Sequence, residues 1–576
     1  MQKIELKPSY DVVVIGAGVG GLTTAALLSK AGLSVCVLEK EPHAGGYLAG
    51  FRRKDFRFDT AIHWLNQYGP DGLVTKVFAA IGNDYPKAVV QKRIKLYKGD
   101  KHDYILTDDP DQWRDQLIEE YPNSKAGIIK FFKAAKKIGK SFKNFGNIFR
   151  SEETMSPLKR LANKFRLLQF ALPFIPYITY KGDKGMQKGL DKFFKDEGLQ
   201  KIFSSEAELL GCLVPIGWAY YKDFQSPPEG GGQAIPEWLQ HVITYFGNDL
   251  FFKCDVKEVL LEDKQAKGVR FECRGKEYTV SSKYVVAACD VETLYEKMLP
   301  ADAIPQKLKD RLKDAELYAS SVTVSIALDC PPSALGFGEE MVHISSEATT
   351  RDDDGAGDPE KSEIIILAPS HRDKTLAPEG QGTLTLFMPA LMSQYNEWET
   401  EKDEKGNYIR GEAYKANKFK IAEAIINRVS KEVASNLKEH ILFYDVATPV
   451  THYRYTSNRG GTMMGARPGK KNMQSKVAHY KTPIKHLLLG GHWAELGGGV
   501  PIATKAGANA ALLIFKEENK VAYKALGGYM EGKVTLKEIL DSKAFKPYNN
   551  SWVRKPTPAE KLAARKANSM DNAGSS

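Results

Sequence analysis

Apolar positions open the chain in three closely spaced blocks. Residues 11–15 form a continuous apolar run of strand type, residues 20–31 carry helical spacing, and residues 34–38 form a second apolar run, so strand, helix, strand is predicted. From about residue 71 to 222 the pattern turns helical, basic and aromatic, with phenylalanines interleaved among lysines. Residues 248–290 alternate as three strands separated by short polar turns, a meander expected to return to the first sheet. Further strands are expected within residues 321–391, interrupted by the acidic stretch 351–361, which reads as a solvated turn. A charged turn at 399–412 precedes a long helical pattern. Residues 486–491 read as an apolar strand, 497–499 as a glycine turn and 502–515 as a helix of small residues. The polar end of the chain has little to bury and is expected to be mobile.

Composition narrows this picture. With 576 residues and 42% apolar content the chain can bury more than one core, about three to four units by length. Six scattered cysteines form no CxxC pair, which argues against a zinc site, a redox dithiol or a disulfide framework. No metal is expected. The start, MQKIELKPSYDVVVIG, passes from polar residues directly into a strand and leaves no room for a signal peptide, so a cytoplasmic location is expected. The longest apolar candidate for a membrane span, residues 167–178, is too short and contains Pro173 and Pro176.

The net charge is +11, but between Lys125 and Lys195 there are 17 basic residues against four acidic ones, a balance of +13. The rest of the chain is therefore close to neutral. A basic segment interleaved with Phe, Leu and Ile has the composition of one lying on an anionic membrane surface. The competing reading is a solvated basic face over an ordinary core; nucleic acid is not expected, since no binding fold accompanies the charge.

The strongest motif is Gly16-Ala17-Gly18-Val19-Gly20-Gly21, a GxGxxG that follows a buried-type strand and opens a helix. Each position has a physical task. Gly16 permits the tight turn, Gly18 lets the backbone approach a pyrophosphate at the helix N-terminus, and Gly21 allows close helix-to-strand packing. Glu39, 23 residues after Gly16, ends the second strand and is placed to accept hydrogen bonds from ribose hydroxyls. Its charge disfavours a 2′-phosphate, so NAD or FAD fits better than NADP.

The residues after Glu39 point to a flavin. Lys40 and the pair Gly45-Gly46 come next, and FRFDTAIHWL carries Asp59, His63 and Trp64. This pattern resembles the flavoprotein superfamily of amine oxidases and carotenoid desaturases. The late segment IKHLLLGGHWAELGGGVPIATKAGANAA, with Gly491, Gly498, Gly499 and Val500, closely resembles the closing motif of the carotenoid desaturase, carotenoid isomerase and retinol saturase family (the phytoene desaturase family). There a GGGxP turn starts a helix under the flavin. Amine oxidases carry an aromatic-rich turn at that place, which this chain lacks. PPEGGGQAIPEWL resembles the PxGG segment returning to the flavin domain, with Val256 in the next strand as a backbone partner of adenine; AACDVETLYEKML resembles the SNADP-type turn, and FDTAIHW the FDTGIHY of retinol saturases, with Ala61 in place of glycine.

The resemblance implies an α/β protein: a Rossmann-like FAD-binding domain of glutathione-reductase type with a parallel sheet, interleaved with an α+β substrate domain and a helical, membrane-facing insert. The expected boundaries are 1–70, 224–300 and 445–520 for the FAD domain, 71–223 for the insert and substrate-access region, 301–444 for the substrate domain, and 521–576 for an extension. It also implies an oxidoreductase acting on carbon–carbon bonds of a hydrophobic polyene or isoprenoid lipid, by desaturation, saturation or cis-trans isomerisation. His63, His492 and Glu495 flank the flavin-lining motifs and are the candidate acids or bases. There is no second nucleotide fingerprint, so NAD(P) enters only as a visiting redox partner. An amine oxidase-type enzyme and a flavoprotein with a non-catalytic binding role remain the alternatives.

Overall fold

A computed structural model describes residues 4–574 apart from 100–102, 144–148, 204, 205, 207, 345–356 and 405. In chain order, strand β1 (Ser9–Ile15), helix α1 (Val19–Lys30) and strand β2 (Val35–Glu39) come first. The next segment contributes β3 (Arg93–Lys98), β4 (Asp103–Thr107), α2 (Lys125–Lys143), α3 (Pro157–Ala171) and α4 (Leu209–Tyr220). Four strands come after it, β5 (Asp249–Phe252), β6 (Cys254–Glu262), β7 (Gln265–Cys273) and β8 (Lys276–Ala287). Then come β9 (Ser320–Leu328), β10 (Met341–Ile344), β11 (Ile364–Leu367), β12 (Gly382–Ala390), β13 (Ile441–Ala447) and β14 (Leu487–Leu489), and helix α5 (Gly499–Glu518).

Two seven-stranded sheets organise these elements. The first runs β6-β7-β8-β1-β2-β5, with β14 against β8. β8, β1, β2, β5 and β14 pair in parallel, whereas β6, β7 and the start of β8 form the expected antiparallel meander. Every residue of β2 is buried, and β1 is buried from Val12 onward. That is why both read as unbroken apolar runs: helices cover both faces of a parallel sheet. α1 and α5 cross closely on one face, where the Thr24 hydroxyl of α1 donates to the Gly507 carbonyl of α5 at 3.0 Å. A Cβ on Gly507 would lie 2.3 Å from the Gly20 carbonyl oxygen, and one on Gly20 would lie 2.5 Å from that of Gly490.

The second sheet runs β13-β9-β12-β11-β10-β3-β4, antiparallel except for β10 against β3. Its inner strand β9 is buried throughout, and the helix Glu412–Glu432 packs its Ile421, Ile425 and Val429 into the same core. Here the sequence expectation needs correcting. The segment from residue 71, read as helical, opens with the helix Leu73–Ile81 but then gives a strand pair to the second sheet before its longer helices; β3 finds its parallel partner almost 250 residues later, a pairing no local pattern displays. The acidic stretch 351–361 falls outside the described residues up to 356. The polar C-terminal stretch, expected to be mobile, is helical over Pro558–Gly574, started by Thr557 and Glu560, whose side chain accepts from the Thr557 N–H at 2.7 Å.

The helical segment packs Phe131, Phe132, Ile138, Phe194, Phe203 and Leu213, among others, into an apolar core shared with Ile94, Leu106, Met341 and Ile365 of the second sheet. α3 stands apart from it. Only Asn163 of its fifteen residues is buried, while Leu158 is 85% and Phe165 64% exposed. Among the described residues no helix is long and apolar enough to cross a membrane.

Candidate active site

The site begins where β1 ends. Gly16 adopts a φ of +100°, which favours glycine, and its N–H donates to the Leu38 carbonyl at 2.8 Å. The Gly45 N–H donates to the Ala17 carbonyl at 2.9 Å, joining the loop after β2 to the first glycine turn. Glu39 holds this junction: one carboxylate oxygen accepts the Ala17 N–H at 2.6 Å and the other the Glu41 N–H at 2.9 Å. Burial pushes its carboxyl up, and those two backbone bonds with the Lys40 charge oppose the shift. Gly18 caps α1 without any side-chain bond, and nothing lies within 4 Å of where its Cβ would be, so the helix N-terminus is left open. Gly21 does the opposite. Its Cβ would sit 2.2 Å from the Gly16 oxygen, the tight helix-to-strand approach foreseen for it.

The far wall comes from the end of the chain. Gly491 precedes a short turn, and α5 starts at Gly499 with φ +81° and Gly498 as a cap that offers no side chain. With no acidic residue in its first turn, α5 presents free N–H groups and the positive end of its dipole. Both walls face one cavity of about 2870 Å³, which continues into an apolar arm bounded by Phe142, Leu167, Phe170, Phe174, Val214 and Trp218.

Of the residues expected to hold a cofactor, Gly16, Gly18, Glu39, Lys40, Gly45, Gly46, Val256, Gly491, Gly498, Gly499 and Val500 line this cavity. Ala17 and Gly21 stand behind it, as donor to Glu39 and as packing contact. Asp59 departs from expectation. Its carboxylate accepts the Gly232 N–H at 2.9 Å and so pins the PPEGGGQ segment instead of facing the cavity; burial, opposed by Arg57 and that bond, lifts it to about 6.

The three acid–base candidates are brought to the same cavity. His63 is lowered to about 4, first by burial and then by the Arg372 and His343 charges, and its Nε2 has no partner. His492 is lowered to about 4 by burial alone, and its Nε2 is likewise unpartnered. Both imidazoles are therefore neutral at physiological pH. Glu495 is not a free carboxylate: it accepts the Tyr480 hydroxyl at 2.7 Å and pairs with Lys505 at 3.1 Å.

Sequence reasoning passed over Tyr480 and Lys505, which also line the cavity, and over the role of Asp290. One Asp290 oxygen caps the Thr293 N–H at 2.7 Å while the other is buried without a partner, and burial raises the acid to about 7. Lys505 and Asp290 lie inside the motifs that carry the family resemblance, but nothing marks them there as polar cavity groups; Tyr480 has no motif at all. The two open helix N-termini, at Gly18 and at Gly499, suit an anionic dinucleotide along the cavity.

The family model of the NAD(P)-binding Rossmann-like domain matches residues 14–81. Prolycopene isomerase 1 of an Oncidium hybrid cultivar is 26% identical over 488 residues, 81% of this chain and 77% of that protein. The all-trans-retinol 13,14-reductase of Danio rerio is 25% identical over 528 residues, 85% of this chain and 83% of that protein. Among solved structures, putrescine oxidase bound to putrescine superposes with a TM-score of 0.53 at 15% identity, over 88% of this chain and 99% of that one, a likeness of fold alone. The chain thus carries a dinucleotide-binding Rossmann-like domain and, over most of its length, is similar to the oxidoreductases that include carotenoid isomerases and retinol reductases.

Proposed function

We propose that the chain binds FAD and acts on carbon–carbon bonds of a hydrophobic polyene or isoprenoid lipid, by desaturation, saturation or cis-trans isomerisation. The observation that carries this reading is the single cavity shared by the dinucleotide cradle and the apolar arm. Gly18 and the α1 N-terminus would hold the pyrophosphate, Glu39 the adenosine ribose, the Val256 backbone the adenine, and the α5 N-terminus the flavin pyrimidine edge. Bound there, FAD supplies hydride acceptance or donation.

The chain's own residues do the rest. The apolar arm aligns a polyene and excludes water, which a carbon-centred hydride transfer needs. His63 and His492, held neutral, offer N–H or lone-pair contacts without adding charge to an apolar chamber. NAD(P)H would reach the flavin as a visitor, since no second fingerprint gives it a domain.

A lipid of this kind resides in membranes, and an anionic membrane surface is the partner we assign to α3. Its exposed Leu158, Leu161, Phe165 and Leu168 lie among Lys159, Arg160, Lys164 and Arg166, while Leu167 and Phe170 of the same helix reach the cavity wall. The expected location is peripheral, on the cytoplasmic side. The doubly substituted Leu161→Glu/Phe165→Glu chain should lose flotation with phosphatidylglycerol vesicles and keep its flavin spectrum. Unchanged flotation would remove α3 from this role.

The activity itself is tested on purified protein, by its flavin spectrum and by incubation with all-trans-retinol or prolycopene, with and without dithionite. Gain or loss of two hydrogens names saturation or desaturation, and unchanged mass with altered retention names isomerisation. A colourless protein that takes up no FAD would end the proposal. Peroxide release with amines would favour the amine oxidase reading instead.

A further inference from the structure

Three polar side chains form a short chain on the cavity wall beside the glycine turn. Lys505, on the second turn of α5, reaches the Glu495 carboxylate at 3.1 Å, and the other oxygen of Glu495 accepts the Tyr480 hydroxyl at 2.7 Å. The lysine and glutamate side chains are only 12% and 18% exposed, and Tyr480 is buried. All three line the cavity, together with Gly497, Gly498 and Gly499.

Their positions are fixed from outside the cavity. The backbone N–H groups of Tyr480 and Lys481 both donate to the Glu153 carboxylate, each at 2.9 Å. Asn509 donates to the Lys505 carbonyl at 3.0 Å and to that of Phe149 at 3.1 Å, tying α5 to the loop carrying Glu153. An ion pair so enclosed costs desolvation and is weak evidence for stability.

Resting on the polyene reading, we propose that Lys505 and Glu495 form the proton-exchange pair of the reaction, with Tyr480 as the positioning residue of Glu495. Any change between C=C and CH–CH moves a proton as well as a hydride, and the wall must hold a group able to give or take it. The neutral histidines are weak acids for that task. Arginines on the wall stay protonated and cannot exchange. Of the other wall lysines, Lys40 is tied to Ser457, Lys257 to Asp255 and Lys181 to Glu208; Lys297 and Lys476 also line the cavity, and Lys505 is the one joined to Glu495.

In the saturating direction the substrate carbon carries the electron pair left after hydride addition from reduced flavin. A C–H bond forms to that pair, a Lys505 N–H bond breaks, and the nitrogen keeps its electrons. In the desaturating direction the Glu495 carboxylate takes the proton from the carbon next to the one that loses hydride to oxidised flavin, and the C–H electrons become the new π bond. The neighbouring ammonium and carboxylate return the proton to each other or to water.

The test uses FAD-loaded holoenzyme with all-trans-retinol under dithionite and, separately, prolycopene. Lys505→Arg keeps the charge but cannot release a proton, and Lys505→Met keeps the packing. Both are expected to retain flavin content and melting temperature while turnover falls about 100-fold or more. In Lys505→Ala, added primary amines should restore turnover at rates that follow amine pKa. Tyr480→Phe should fall about tenfold, without amine rescue. Lys505→Arg at the wild-type rate, or rescue independent of amine pKa, would overturn the pair. Wild-type holoenzyme inert toward both probes would instead sink the polyene reading on which the pair rests.

Discussion

Gly507→Val yields a chain that retains no flavin and unfolds at markedly lower temperature. The Gly507 Cα faces the α1 backbone so closely that even a β-carbon would lie 2.3 Å from the Gly20 oxygen and 2.9 Å from Thr23 Cβ. Neither contact ends in a flexible side chain. The helices must separate, and α1 and α5 are the two whose N-termini face the cofactor cavity. Overpacking a core costs typically 1–3 kcal/mol, and a clash with backbone should reach about 3 kcal/mol or more. Flavin-to-protein absorbance ratios and thermal melts check this, with Lys516→Ala at the solvent-facing end of the same helix as control. A yellow, normally melting Gly507→Val chain would contradict this crossing of the two helices.

Glu39→Ala is expected to weaken FAD binding by about 100-fold. Hydrogen bonds to a charged group contribute roughly 1.5–3 kcal/mol each, and Glu39 is the acid proposed to accept from the ribose. The substitution also strips the Ala17 and Glu41 N–H groups of their acceptor, which loosens the loop before any cofactor arrives. Fluorescence titration of apoprotein with FAD measures the change, and Glu39→Gln should fall between the two. Equal affinity in wild type and Glu39→Ala would place the ribose elsewhere.

Features whose cause is local were legible in the sequence. The glycine turn at 16–21, the acid at 39 and the late GGGVP turn each announce a backbone geometry that neighbouring residues impose, and all three arrive at one cavity. The meander from β6 to β8 was legible for the same reason. Features that depend on distant partners were not. β3 and β4 look like part of a basic helical stretch until β10 supplies the other half of their pairing. Asp59 sits in a motif expected to lie near a flavin, yet its carboxylate accepts the Gly232 N–H instead. Tyr480 and Lys505 become a unit only because Glu495 lies between them. Gly507 read as one small residue among several, and its necessity appears only when α1 is laid across it.

The cradle draws its two walls from opposite ends of the chain, Gly16–Gly21 and Gly491–Gly499. At roughly 5–20 residues per second, a ribosome needs tens of seconds to travel between them. Throughout that interval the first glycine turn has emerged without its counterpart, so a group bridging the two turns would be captured only after the second has been made.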